Sequence, residues 1–361
     1  MIESRHTSTS VITEKKTQRR RGFTLVELLM VIALIAMLSS MLLVSLYAAA
    51  QSAKVRRTEQ QIARIHSLLM TRWQAFQSRA IPFNTMAELN NLGLSKNAKS
   101  RARLRLRAIR ELMRLEFPER RTDVARDVGA PVTPGLRLPA RPPALWKSYD
   151  RRVARLRNDT DWHLVDPFVD ASGNALTWTP QHQGAECLYM ILASIREGDR
   201  NGLDFFTEDE IGDVDDDKMP EILDGWGKPI EFLRWAPGFV GRGISDLQTG
   251  DSVPGVDGDS GDGGNILDPL KVDALWTDEV GDNDPFTLVP LIFSAGPDMQ
   301  YGIVTETPAS SGAVFRYSAD SHPYPNCPFH IDQATSLRFG DKVPDDLISS
   351  LDNISNHLLG Q

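Results

Sequence analysis

The chain has 361 residues, 41% apolar, 24% charged and 7% aromatic, enough apolar material to bury a sizeable core. That balance excludes a wholly disordered chain, a collagen and a coiled-coil rod. The formal net charge of -8 is a sum of unequal parts: residues 1–22 carry +4, residues 23–50 carry -1, residues 51–160 carry +15 and residues 161–361 carry -26.

The first 21 residues are polar and end in Arg19, Arg20 and Arg21. From Leu28 to Ala50 there is no charged residue, and these 23 positions would make a helix about 35 Å long, enough to cross a bilayer. A secretory signal has a shorter apolar region and a small-residue cleavage site beyond it. Here Gly22 lies on the other side, between the arginines and the apolar run. Glu27 stands at the edge of that run, where a carboxylate is costly and is by default paired or functional.

The run Arg20-Arg21-Gly22-Phe23-Thr24-Leu25-Val26-Glu27-Leu28-Leu29 resembles the leader and processing site of type IV prepilins and type II secretion pseudopilins. The resemblance implies that a membrane prepilin peptidase cuts after Gly22 on the cytoplasmic face and that the new N-terminal Phe23 is N-methylated. It implies that Glu27 pairs with the Phe23 amine of its own or a neighbouring subunit during assembly. In the first helical turn such a charge is also favoured by the helix dipole. Because Lys54, Arg56, Arg57 and Arg64 follow the apolar run closely, charge asymmetry says little about orientation. The processing motif implies a cytoplasmic leader and a periplasmic remainder.

Beyond Ala50 the spacing of Ile62, Ile65, Leu69, Trp73 and Phe76 predicts that the helix continues, from about Phe23 to Arg79, with Pro82 ending it. Residues 96–126 carry eleven Lys or Arg residues, with Leu106, Ile109, Met113 and Phe117 at helical spacing. This predicts an amphipathic basic helix, read as a solvated face opposing the acidic second half; no aromatic stacking pattern or DNA-binding motif accompanies it. Pro131, Pro134, Pro139, Pro142 and Pro143 predict a linker.

Ala185 to Ala193 reads as a buried helix, and Pro229–Trp235 and Phe286–Phe293 read as strands. Asp224-Gly225-Trp226-Gly227-Lys228-Pro229-Ile230-Glu231-Phe232 resembles the Asp-Pro-Trp-Gly-Asn-Pro-Tyr stretch of major pseudopilins of type II secretion. Phe293-Ser294-Ala295-Gly296-Pro297-Asp298 is similar to their Ser-Leu-Gly-Ala-Asp-Gly stretch. The fold class expected is therefore α+β: a long N-terminal membrane-spanning helix packed on a small antiparallel sheet, with helical and loop insertions. The layout expected is a cleaved leader (1–22), a transmembrane half-helix (23–50), its periplasmic half (51–80), a basic helical insertion with a Pro-rich linker (81–160) and an acidic α+β head (161–361).

Three features suggest sites in the head. Asp213, Asp215, Asp217, Glu221 and Asp224 fall at positions one, three, five, nine and twelve of a calcium loop, though Lys218 stands at position six, where an EF-hand has Gly. A second acidic loop holds Asp257, Asp259, Asp262 and Asn265. Major pseudopilins bind calcium after their Ser-Leu-Gly-Ala-Asp stretch, but Met299-Gln300-Tyr301-Gly302 lacks their acidic run, so those ligands do not transfer. Cys187 and Cys327 would lie outside the inner membrane and form either a disulfide or, for Cys187 in its apolar helix, a buried thiol. Cys327 and His330 lack the second pair that a zinc site needs.

No nucleophile elbow, phosphate loop, zinc-protease motif or dinucleotide fingerprint occurs, and no enzyme is expected. The reading is a structural subunit of a type II secretion pseudopilus, with calcium as its one candidate cofactor. Its partners would be prepilin peptidase, other copies of itself, further pilin-like subunits and the inner-membrane secretion platform. The alternatives are a type IV pilin or minor pilin, including a DNA-binding uptake pilin using the basic helix; nucleic acid is not the expected partner.

Overall fold

In a computed structural model the described residues are 23–81, 95–124, 143–157, 181–236, 289–305, 340–343 and 349–357, with short pieces at 86–87, 90, 93, 178–179, 239, 267–268, 270 and 272. The chain divides into two units, residues 1–51 and 52–361.

Helix α1, Leu25–Gln74, runs through that division and ends in a 3-10 turn, Ala75–Gln77. No Gly or Pro interrupts it, and Leu, Ala, Met and Val dominate its first half. Ser40 and Ser45 donate their hydroxyls to the carbonyls of Met37 and Met41, so neither leaves an unsatisfied donor in the apolar stretch. In the first unit the apolar side chains from Leu25 to Tyr47 are exposed.

In the second unit, the rest of α1 buries Thr58, Gln61, Ile62, Ile65, Leu68, Leu69 and Trp73, and Phe76 follows in the 3-10 turn, one face at three- and four-residue spacing. The sequence pattern located this face correctly. Gln61 donates to the Leu223 carbonyl (3.1 Å), Arg64 to that of Phe205 (2.9 Å), and Arg57 pairs with Asp209 and Glu210 (2.9 Å each).

Helix α2, Ala98–Glu116, starts at Asn97, whose side chain accepts from Ser100 N (2.7 Å). A short α3, Arg121–Val124, and then α4, Ala144–Arg157, follow. Leu106, Ile109, Met113 and Phe117 are buried as expected, with the Phe117 ring 5.7 Å from that of Phe76. The expected solvated basic face is present only in part: Lys96, Lys99 and Arg101 are exposed, but the face closes over toward the end of α2. Arg110, Glu111, Glu116, Glu119 and Arg120 are buried, and Arg120 lies 3.9 Å from Glu119. Arg114 reaches Glu111 (3.7 Å) and Asp123 (3.6 Å), and Arg79 pairs with Glu116.

Helix α5, Gln183–Ser194, packs on β4, Glu221–Ile222, and β5, Glu231–Leu233. Two short hairpins join β1, Arg196–Glu197, to β2, Arg200–Asn201, and β3, Ile211–Gly212, to β4. The main sheet is antiparallel in the order β5-β6-β7, where β6 is Leu291–Ser294 and β7 is Ile354–Ser355. Phe232 faces Ile292, and Phe293 faces Ser355. The expected helix at Ala185–Ala193 and strand at Pro229–Trp235 are present, and the second expected strand is present from Leu291; residues 286–288 lie outside the described residues.

The turn between β4 and β5 explains its glycines. Asp224 Oδ1 accepts from Trp226 N (2.8 Å) and Lys228 N (2.9 Å), and Gly227 has φ +81°. A Cβ on Gly225 would stand 2.8 Å from the Lys54 carbonyl, so only glycine lets the turn lie against α1. A long helix packed through its C-terminal half on small antiparallel sheets, with added helices, is a pilin-like α+β arrangement.

Candidate functional site

At the N-terminus, Phe23 and Thr24 are non-helical and α1 begins at Leu25; Gly22 lies outside the described residues. Thr24 and Glu27 form a reciprocal cap. The Glu27 carboxylate accepts from Thr24 N (2.8 Å) and Thr24 Oγ1 (3.0 Å), while Glu27 N donates to Thr24 Oγ1 (3.2 Å). The spacing Thr24-Leu25-Val26-Glu27 is itself a capping-box pattern, a signal the sequence reading passed over. Glu27 thus sits in the first turn of α1 with its charge beside the helix's free N–H groups. Among the described residues, the N-terminal helix is the one long and apolar enough to cross a membrane.

The second site is in the head. The loop from Asp213 to Pro220 is closed by the β3–β4 hairpin and bent by left-handed backbone at Asp216 (φ 58°) and Lys218 (φ 73°). Lys218 holds the left-handed conformation that glycine would supply at the sixth position of a calcium loop. Asp213 accepts from Asp217 N (3.1 Å) and Lys218 N (2.9 Å); Asp217 accepts from Thr179 N (2.6 Å) and Met219 N (2.8 Å). Asp215 accepts from Thr179 Oγ1 (2.6 Å), and Glu221 from Val214 N (3.2 Å).

The helix α5 adds a residue the sequence reading did not include. Glu186, wholly buried, accepts from the Trp178 indole and meets Asp215 and Glu221. One oxygen each from Glu186, Asp215 and Glu221 lies within 4.8 Å of the others, and the same holds for Asp213, Asp215 and Asp217. Burial, then the neighbouring Asp217 charge, pushes the Glu186 carboxyl up to about 11; burial lifts Glu221 to about 8. Such a concentration of carboxylates can bind a metal ion.

Asp224, the fifth residue of the expected loop, is engaged elsewhere. Its Oδ1 organises the turn described above, and its Oδ2 accepts from Ser294 Oγ (2.6 Å). Asp257, Asp259, Asp262, Asn265 and the Cys327–His330 pair lie outside the described residues. Cys187 is a wholly buried free thiol on α5, and Cys327 lies outside the described residues.

Residues 17–43 match the model of the prokaryotic N-terminal methylation motif. No curated protein and no solved structure matches the chain. The matched segment runs from the basic leader through Phe23 and Glu27 into the apolar half of α1, the combination found in membrane-anchored proteins of the type IV pilin and pseudopilin class.

Proposed function

We propose that this chain is a structural subunit that prepilin peptidase cuts between Gly22 and Phe23, that is methylated at Phe23, and that assembles through α1 into a type II secretion pseudopilus. The observation that carries this reading is the continuity of the methylation motif with one uninterrupted helix whose second half is built into the head. Its chemistry is assembly: an apolar helix leaves lipid only for equally apolar neighbours, and Glu27 sets the register by pairing with a Phe23 amine.

The choice of a secretion pseudopilus is supported by how the two C-terminal stretches meet. Strands β5 and β6 pair, and Ser294 in the second stretch donates to Asp224 in the first (2.6 Å). They form one structural unit, as two motifs of a common head would. The DNA-uptake alternative would have to use Lys96, Lys99 and Arg101, which are exposed, since Arg114 pairs with Glu111 and Asp123 and Arg110 and Arg120 are buried.

Glu27 has two roles to separate, capping and charge pairing. Glutamine at this position still accepts from Thr24, whereas alanine does not. Both Glu27→Gln and Glu27→Ala are expected to be cleaved normally yet to lose assembly by at least about tenfold, a register contact of roughly 1.4 kcal/mol or more being removed. The readout is chemical crosslinking of membrane-resident subunits followed by gel analysis of the ladder. A wild-type ladder from Glu27→Gln would contradict charge pairing and leave capping as the residue's role.

A further inference from the structure

Three carboxyl groups from separate parts of the head converge. Glu186 comes from α5, and Asp215 and Glu221 come from the loop and strand that close the β3–β4 hairpin. Their oxygens Glu186 Oε1, Asp215 Oδ1 and Glu221 Oε1 are buried and accept no hydrogen bond, and Glu186 also meets Asp217. Glu186 and Glu221 are 0% exposed. The opposite oxygen of each is already held, by the Trp178 indole, Thr179 Oγ1 and Val214 N respectively, so the carboxylates are oriented and each leaves one acceptor unused. Burying such acceptors without a partner is costly. The positive group that acts on Glu221, His182, is hydrogen-bonded to Glu231 (2.8 Å).

We propose that Glu186, Asp215 and Glu221 are ligands of one calcium ion, with Asp213 and Asp217 completing the acidic wall around it. The donors are all oxygen, which suits a hard cation and excludes the thiolate and imidazole sets of zinc or copper sites. Ligand oxygens across a calcium ion stand up to about 5 Å apart, twice the ordinary Ca–O distance. One carboxylate oxygen from each of the three residues lies within 4.8 Å of the others, inside that span. Magnesium keeps several waters and avoids cages made wholly of protein oxygens, so it is the poorer occupant. The ion fastens α5 to the β3–β4 hairpin, locking the helix that supports β5. This site is distinct from the segment after Asp298, and it does not depend on the assembly role.

The full chain, purified in detergent and stripped with chelator, is titrated with calcium chloride and followed by thermal unfolding. A parallel titration with terbium reads luminescence sensitised by tryptophan, since Trp178 lies against Glu186. The expected result is one ion per chain, a dissociation constant of about 10⁻⁵–10⁻³ M and a melting temperature raised by about 5 °C at saturation. Glu186→Gln and Glu221→Gln are each expected to weaken binding by at least about tenfold and to quench the terbium signal. Asp298→Asn is expected to bind as the wild type does. No calcium-dependent rise in the wild type overturns the proposal whether or not the variants fold. So does an equal rise with magnesium, or wild-type affinity in both glutamine variants.

Discussion

A chain carrying Gly22→Val is expected to stay in the membrane at its full length, with no processed form detectable by intact-mass measurement. On the proposed function residues 1–22, with six Lys or Arg residues against two acids, lie on the cytoplasmic side, where the peptidase acts. The scissile bond would precede Phe23, which with Thr24 is non-helical ahead of the start of α1 at Leu25. A peptidase needs such a segment, because a bond inside a hydrogen-bonded helix must first be unwound. A branched side chain placed immediately before that bond obstructs the approach that glycine allows. The unprocessed chain keeps its charged leader and lacks the free Phe23 amine, so it also fails to assemble. Normal removal of residues 1–22 from Gly22→Val would contradict the assigned cleavage point.

Arg234→Leu is expected to produce the largest loss of stability in the head. Arg234 is wholly buried and donates to Asp123 (3.2 Å), Glu119 (3.1 Å) and the Phe117 carbonyl (2.8 Å), with its guanidinium 4.5 Å from the Trp235 ring. Its own backbone N–H also donates to Glu119 (2.8 Å). This network ties the α2–α3 segment to the end of β5. Burial raises the Glu119 carboxyl above its usual range while Arg234 and Arg120 pull it back, so removing Arg234 leaves a buried acid largely uncompensated. Breaking one side of a buried ion pair costs roughly 3–5 kcal/mol, a fall in melting temperature on the order of 10 °C here. Adding Glu119→Gln to Arg234→Leu should recover part of that loss, because the stranded charge is then removed. Equal melting temperatures for Arg234→Leu and the wild type would show that the network contributes nothing net.

What could be read from the residues alone was local. The apolar run and the stripe from Ile62 to Phe76 follow from composition and a 3.6-residue period, and both are helical in the structure as expected. The cap made by Thr24 and Glu27 was equally local; attention to the acid's cost in lipid hid its simpler use. Helix α4 was missed although Leu145, Tyr149, Val153 and Leu156 keep helical spacing, because the prolines before it suggested a linker through residue 160. The buried arginines of the basic stretch were misplaced for a different reason. Net charge over a window says nothing about pairing within it, and Glu111, Glu116, Glu119 and Asp123 were already present among the arginines.

The metal cluster was half legible. Alternating Asp213, Asp215 and Asp217 announce an oxygen-rich loop, but Glu186 precedes them by more than twenty residues as a lone acid in an apolar helix. Only tertiary packing brings it to Glu221. The pairing of β6 with β7, far apart along the chain, is non-local in the same sense, since a two-residue strand carries no pattern of its own.

The central claim is that this chain is a processed, pilin-like subunit, and the mass of the N-terminal peptide from membrane-extracted protein tests it most directly. The predicted result is a peptide that begins at Phe23 and carries one added methyl group on its amine. A peptide that begins at Met1, or one that begins beyond Ala50 so that the apolar half of α1 is discarded, would contradict it.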